Sequence, residues 1–174
     1  IRLCTRNPVT LPQRITDDLL EALRPYHPVF VHTHFNHPAE CTPEAGAALT
    51  RLADAGFNVG NQMVLLRGIN DNPETVETLN RWLVRHRCRP YYMLQCDPVG
   101  GTAHLRTSVD AGVDILDAMR GRVSGLAIPQ LVVDLPGGGG KVTLTPQRLV
   151  RREGNERVYR DVRGREFTYV DEPL

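Results

Sequence analysis

A lysine side chain follows a run of four glycines near the end of the sequence. In LVVDLPGGGGKVTLTP the glycines occupy positions 137–140, and Lys141 comes directly after them. A phosphate-binding P-loop needs a glycine six positions before its lysine and Ser or Thr after it, but here those positions hold Leu135 and Val142. Lysine forms Schiff bases with carbonyl cofactors, and glycines let a planar cofactor lie close to the backbone. The segment therefore indicates either a covalent cofactor site at Lys141 or a flexible, solvated loop.

Further polar side chains fall near the ends of apolar, strand-like segments. Asp134 follows LVV with no basic neighbour in sequence, so its carboxylate needs an ion-pair partner or a solvated pocket. Asp97 and Gln62 are placed similarly; the alternatives are a turn residue for Asp97 and a partner of a buried backbone group for Gln62. His32 and His34 alternate and so share one face of a strand. Such a pair either binds a metal ion, as in barrel hydrolases, or is hydrogen-bonded within the core.

Strand-like and helix-like segments alternate from residue 1 to about residue 134. The strand-like segments are 29–35, 59–68, 89–97 and 127–135. Thr42 and Asn72 each precede a proline, which is a typical N-terminal signal of a helix. The alternation predicts an α/β fold of parallel βα units, in which chemistry gathers at the C-terminal ends of the strands. Beyond residue 135, the turn-like stretches EGNER and RGRE predict a small β-hairpin.

The composition of the chain argues against several classes of protein. A net charge of +1 over 174 residues gives no basic field for nucleic acid. No apolar run approaches the roughly 20 residues of a membrane helix, and no signal peptide is visible. Isolated thiols fit a reducing cytoplasm, and the cysteines are Cys4, Cys41, Cys88 and Cys96. Because the first residue is Ile1 rather than methionine, we expect a fragment or a processed product.

Five segments of the sequence carry a family resemblance. In order along the chain, they are TRNPVTLPQRIT, VHTHFNHPAE, LADAGFNVGNQMVLLRGIND, RPYYMLQCD and VVDLPGGGGK. Together they resemble the C-terminal part of the lysine 2,3-aminomutases, which are radical S-adenosylmethionine (radical SAM) enzymes that also carry pyridoxal 5′-phosphate (PLP). The resemblance implies a partial TIM-type (βα)6 barrel. Residues 1–135 would supply its C-terminal βα units, and residues 136–174 the PLP-lysine loop with a small β-rich extension.

The resemblance also assigns residues to cofactors. Lys141 matches the lysine that holds PLP as an aldimine, and Gly139 and Gly140 belong to the glycine run that lets PLP lie against the backbone. His34 and Gln62 match barrel-lining positions near S-adenosylmethionine and PLP. The [4Fe–4S] cluster of these enzymes needs three cysteines in a CxxxCxxC motif, which this sequence does not contain. The ligands of the cluster are therefore expected outside this chain.

Two further residues are matched to the substrate. Asp97 and Asp134 correspond to aspartates that bind the side-chain ammonium of substrate lysine. Two carboxylates in an enclosed site repel each other unless a cation lies between them, which favours lysine over glutamate. The implied reaction converts L-lysine to L-β-lysine: a 5′-deoxyadenosyl radical abstracts a hydrogen atom, and the amino group migrates to C3 with PLP as its carrier. An external reductant for the cluster and a homo-oligomeric assembly are also expected.

Two alternatives remain open from the sequence. His32 and His34 could serve a metal-dependent barrel hydrolase, or the chain could be a non-catalytic, truncated remnant. Some members of the resembled family bind zinc between subunits through a cysteine at a helix start, where this sequence has Asn72, so no metal site is predicted. Because the cluster motif is missing, we expect the 174 residues to be inactive on their own.

Overall fold

Six strands form one sheet, and their order in space follows their order in the sequence. The computed structural model describes residues 1–171. The strands are β1 (Arg2–Cys4), β2 (Phe30–Thr33), β3 (Asn58–Leu65), β4 (Cys88–Gln95), β5 (Gln130–Leu135) and β6 (Gly140–Leu144). Neighbours from β1 to β5 are parallel, whereas β6 runs antiparallel to β5. The sheet curls into half of a barrel, which confirms the predicted parallel α/β organisation.

The α-helices lie in the connections between these strands. Within residues 1–171 they are α1 (Asn7–Thr10), α2 (Asp17–Leu23), α3 (Pro43–Asp54), α4 (Pro73–Arg85) and α5 (Val109–Met119). Thr42 caps α3 by accepting a hydrogen bond from the backbone N–H of Ala45 at 3.2 Å, and Asn72 caps α4 in the same way. Both predicted helix starts are thus confirmed. No helix of the described residues is long and apolar enough to cross a membrane.

The hydrophobic core lies between the helices and one face of the sheet. Its strand and helix residues include Val31, Leu49, Leu79, Leu83, Met63, Leu65, Leu116 and Leu131. Successive side chains of a strand point to opposite faces, so His32 and Gln62, which follow Val31 and precede Met63, lie on the other, concave face. The burial of one face by the helices therefore places the candidate polar residues together on the inner surface of the half-barrel.

A second, smaller sheet follows the first along the chain. It consists of the antiparallel strands β7 (Leu149–Glu153), β8 (Glu156–Arg160) and β9 (Glu166–Val170). The predicted hairpin is confirmed and extended by a third strand. Arg148 lies just before β7, where it forms an ion pair with Asp117 of α5 and donates a hydrogen bond to the carbonyl of Asp161 at 3.2 Å. The division at residue 135 stays a prediction, and β6 beyond it belongs to the six-stranded sheet.

Candidate functional site

The ion pair between Lys141 and Asp134 is the central feature of the site. The antiparallel register of β5 and β6 places these two residues directly opposite each other. Lys141 Nζ lies 2.7 Å from one carboxylate oxygen of Asp134 and 2.5 Å from the other. The two side chains are 42% and 40% exposed, so solvent and an incoming ligand can reach the pair. Asp134 therefore does have a cationic partner, seven positions further along the chain.

The glycine run between the two strands has a defined backbone. Gly137, Gly138 and Gly140 adopt φ values of 70°, 83° and 75°, a region that residues with a Cβ rarely occupy. A Cβ added at Gly139 would lie 2.7 Å from the Cβ of Leu135. At the other three glycines a Cβ would meet no heavy atom within 4 Å. The run thus makes a turn that only glycine fits well, and it leaves open space beside Lys141.

Lys141 is also chemically unique in the chain. It is the only lysine among the 174 residues, although the sequence contains many arginines. The guanidinium of arginine does not form Schiff bases at neutral pH, because it stays protonated. Any imine on a side chain of these 174 residues must therefore form at Lys141. The sequence carried this signal, but it becomes useful only when the structure shows the amine to be accessible.

A second polar group occupies the concave face at β2, β3 and β4. His32 Nδ1 and Gln62 Nε2 lie 2.8 Å apart, and the ring of His32 is 4.8 Å from the ring of Tyr91. A register shift between β3 and β4 makes Tyr91 an extra, bulged residue. Its hydroxyl donates a hydrogen bond to the hydroxyl of Tyr92 at 3.1 Å. Of these residues, His32 and Tyr91 line a cavity of about 630 Å³.

The tyrosine pair was not predicted from the sequence. Regular alternation would place Tyr91 and Tyr92 on opposite faces of the strand, but the bulge brings their ring centroids to 3.9 Å. The bulge depends on the register with β3, which has no local sequence signal. It adds two aromatic hydroxyl groups to the inner surface of the half-barrel.

His34 lies at the C-terminal end of β2, in a smaller cavity of about 250 Å³ that also involves Arg6 and Gln62. Its Nε2 atom is buried and has no hydrogen-bond partner within residues 1–171. Burial, followed by the charge of Arg6, lowers the pKa of His34 below its ordinary value of 6.5. His34 thus combines a place in the lining of a cavity with a buried ring nitrogen that lacks a partner within the described residues, which makes it a candidate for binding a polar ligand.

Buried asparagines hold the loop that carries His34. The side chain of Asn61 bonds both backbone groups of Phe35, at 2.7 Å to its N–H and 2.9 Å to its carbonyl. Asn70 donates to the carbonyls of Asn36 and Val64 at 2.8 and 2.9 Å. Asn61 and Asn70 are 1% and 0% exposed. These amides fasten the segment after β2 to the end of β3 and so fix the position of His34.

Asp97 stands apart from the other candidate residues. It follows β4 in an exposed loop, and its carboxylate makes no hydrogen bond or ion pair within the described part of the chain. Its backbone carbonyl accepts a hydrogen bond from Thr102 Oγ1 at 3.3 Å. The structure thus joins Lys141 to Asp134 and His32 to Gln62, whereas no bond links Asp97 to either pair.

The hydrolase alternative needs a metal site around His32 and His34. Within residues 1–171, no group of three or more His, Cys, Asp or Glu side chains is arranged to hold a metal ion. A catalytic zinc site has three protein ligands, so the two histidines supply too few. The bonding of His32 to Gln62 supports the hydrogen-bonded alternative for His32, whereas His34 Nε2 has no partner within the described residues.

Comparisons of the sequence with known proteins find similarity to 2,3-aminomutases. Residues 116–173 match the family described as Lysine-2,3-aminomutase. The chain is 49% identical, over 98% of its length, to the L-lysine 2,3-aminomutase of Fusobacterium nucleatum, of which it spans 40%. It is 47% identical, over 99% of its length, to the glutamate 2,3-aminomutase of Clostridioides difficile, of which it spans 41%. The chain thus covers about 40% of the length of these curated relatives.

A solved structure supports the fold. The crystal structure of a radical SAM methyltransferase from Sphaerobacter thermophilus superposes with a TM-score of 0.57, over 77% of this chain and 40% of that one. The two chains are 21% identical, so the likeness concerns the fold alone. The curled parallel sheet of the half-barrel is therefore an architecture that a radical SAM enzyme also uses.

Proposed function

We infer that the chain belongs to the lysine 2,3-aminomutase family and forms the C-terminal part of such an enzyme. The complete enzyme would convert L-lysine to L-β-lysine by moving the amino group from C2 to C3. This chain would supply the lysine that binds PLP and the carboxylates that bind the substrate side chain. The observation that carries the proposal is the pairing of the only lysine, Lys141, with Asp134 on adjacent strands.

The residues around Lys141 fit PLP. The glycines leave the space beside the amine free of side chains, as a planar cofactor against the backbone requires. Lys141 would hold the cofactor covalently, and Gly139 and Gly140 would lie along it. When bound, PLP would supply the carrier for the migrating amino group. The task of the protein is to hold the reacting groups in position and to keep the substrate ammonium in place.

The radical part of the chemistry would use residues at the other end of the inner surface. His34 and Gln62 border one cavity with Arg6, and these polar side chains would contact S-adenosylmethionine there. The sequence has no CxxxCxxC motif for a [4Fe–4S] cluster. The cluster and its reductant would therefore act through protein outside these 174 residues, within a partial TIM-type barrel that this half-barrel would help to form.

Lysine is favoured over glutamate as the substrate. The relatives include enzymes named for each amino acid at similar identity, so identity alone does not discriminate. The carboxylate of Asp134 already bonds an alkylammonium group, that of Lys141, and Asp97 presents a second exposed carboxylate on a neighbouring strand end. Both groups would attract the side-chain ammonium of lysine and repel the side-chain carboxylate of glutamate. A cytoplasmic location and a homo-oligomeric state stay predictions.

Borohydride reduction in the presence of PLP tests the proposal. The chain has two kinds of primary amine, Lys141 and the N-terminus, so peptide mass mapping gives a simple result. We expect a pyridoxyl group on Lys141 in the wild type and none on the peptide that contains residue 141 in the Lys141→Arg variant. Labelling confined to the N-terminal amine in a folded chain would contradict the proposed function.

A further inference from the structure

Lys141 bonds the carboxylate that the proposed function assigns to the substrate. Both oxygens of Asp134 lie within 2.7 Å of its amine. The side chain of Lys141 is also chemically identical to the side chain of free lysine: four methylene groups that end in an ammonium. In this structure the protein therefore presents to Asp134 the same chemical group that the substrate would present.

The backbone makes this contact direct. Asp134 and Lys141 are cross-strand neighbours in the β5–β6 pair, whose side chains lie on the same face of the sheet. The turn that joins the strands is set by the left-handed glycines Gly137 and Gly138, so the register does not depend on a flexible loop. When a substrate ammonium approaches Asp134, the carboxylate already binds the ammonium of Lys141. Two ammonium groups at one carboxylate repel each other.

We propose that Lys141 is an intramolecular competitor of the substrate ammonium at Asp134, and that attachment of PLP to Lys141 releases the carboxylate for the substrate. The inference rests on the proposed function. During attachment, the Lys141 ammonium gives one proton to solvent and its nitrogen bonds to the aldehyde carbon. The aldehyde oxygen leaves as water with the two remaining amine hydrogens. The nitrogen is then held in a C=N bond to the cofactor, so cofactor attachment precedes tight binding of lysine.

The strength of the competition follows from the exposure of the pair. Ion pairs between exposed side chains stabilise by roughly 0.2–1 kcal/mol, and the two partners here are 42% and 40% exposed. Removal of Lys141 should therefore strengthen the binding of an alkylammonium ion at Asp134 by about two- to fivefold. Salt screens such pairs, so the gain should be largest in dilute buffer.

The single lysine makes the test direct. A chain labelled with ¹³C,¹⁵N-lysine gives one lysine Cε signal by NMR, that of Lys141. We would add n-butylammonium, which has the same four-carbon stem, in the absence of PLP. The signal should move towards the position of free lysine as the probe displaces Lys141. In Asp134→Asn the signal should start near that position and stay there, whereas the Asp110→Asn control, an exposed aspartate on α5, should behave like the wild type.

Binding of the probe gives the second measurement. Lys141→Met keeps an unbranched side chain without charge, and it should bind n-butylammonium about two- to fivefold more tightly than the wild type. Equal affinities, together with an unmoved wild-type signal at saturating probe, would overturn the inference. Borohydride labelling is read separately: a chain labelled at Lys141 without competition keeps the proposed function and loses the inference. A chain that shows competition without labelling at Lys141 loses the proposed function, and the measured competition at Asp134 remains.

Discussion

At the scale of single residues, two histidines of the inner surface, His32 and His34, have lowered pKa values. Burial, followed by the charge of Arg2, lowers the pKa of His32. Burial and the nearby Arg6 do the same for His34. A neutral imidazole keeps one nitrogen as a hydrogen-bond acceptor. In neutral His32 the acceptor nitrogen is Nδ1, which faces the donating amide of Gln62, so its other ring nitrogen is left to donate a hydrogen bond to a ligand.

The lowered pKa values predict a pH dependence of stability. Between the ordinary pKa of 6.5 and the lowered values, the unfolded chain binds protons that the folded chain does not. The free energy of unfolding should therefore fall as the pH drops below 6.5, by at most about 1.4 kcal/mol per pH unit for each histidine. The fall should end once the pH is below the folded pKa. Urea unfolding at pH 7.5, 6.5 and 5.5 measures it.

A matched pair of variants assigns this effect. His34→Gln should reduce the loss of stability between pH 6.5 and pH 5.5, because one of the groups with a lowered pKa is removed. His104→Gln, at an exposed histidine in the loop before α5, should leave the pH dependence as it is in the wild type. An unchanged slope in His34→Gln would show that His34 does not resist protonation in the folded chain.

At the scale of structural elements, the β5–β6 turn fixes the position of the Lys141 amine. Gly139 is the position where the turn is most crowded, since an added Cβ would lie 2.7 Å from the Cβ of Leu135. That atom is tied to the backbone of β5 and cannot rotate away. The turn is therefore sensitive to the addition of a single methyl group.

We predict that Gly139→Ala destabilises the chain by about 1–3 kcal/mol and lowers the yield of borohydride-trapped PLP on Lys141. Thermal unfolding and mass mapping measure the two effects. The control is Gly125→Ala, where an added Cβ meets no heavy atom within 4 Å, and it should change neither value. Full labelling with unchanged stability in Gly139→Ala would mean that the turn adapts and does not set the position of the amine.

Asn61 connects β3 to the segment that follows β2 through two hydrogen bonds to Phe35. Asn61→Ala removes two hydrogen bonds and leaves the N–H and carbonyl of Phe35 buried without their partner. Unsatisfied buried polar groups cost about 1–3 kcal/mol each, so the two groups predict a loss of roughly 2–6 kcal/mol in urea unfolding. Asn58→Ala, at the exposed start of the same strand, should have little effect. Similar stabilities of the two variants would refute the proposed clamp.

At the scale of the whole molecule, the chain holds one part of the chemistry of the proposed enzyme. Its half-barrel carries the amine, the carboxylates and the histidines, and its sequence lacks the cluster motif. We predict that the 174-residue chain, supplied with PLP, S-adenosylmethionine, dithionite and L-lysine, forms no β-lysine even when Lys141 is labelled by PLP. Amino-acid analysis after derivatisation measures the product. Formation of β-lysine above that of the Lys141→Arg chain would contradict the assignment of the radical chemistry to residues outside this chain.

The features that were predicted correctly from the sequence are mostly those set by residues close together in the chain. The caps Thr42 and Asn72 and the prolines that follow them act within one helical turn. The starts of α3 and α4 could therefore be predicted without knowledge of the tertiary fold. The types of Asp134 and Lys141 marked both as candidates, but their pairing depends on β6 turning back against β5. The expected fold of parallel units gave no reason for an antiparallel final strand. The bulge at Tyr91 depends likewise on register between strands, and it could not be predicted from the sequence.

The packing of the single tryptophan predicts how the intrinsic fluorescence of this chain depends on pH. Trp82 on α4 lies with its ring centroid 4.4 Å from the ring of His86 and 5.5 Å from that of Phe35. An imidazolium quenches an excited indole far more strongly than a neutral imidazole does, and burial followed by the charge of Arg85 lowers the pKa of His86. The emission of the Trp82 indole should therefore be stronger at neutral pH than in mild acid, where His86 is protonated. Fluorescence intensity would thus follow the protonation of His86 without any added dye.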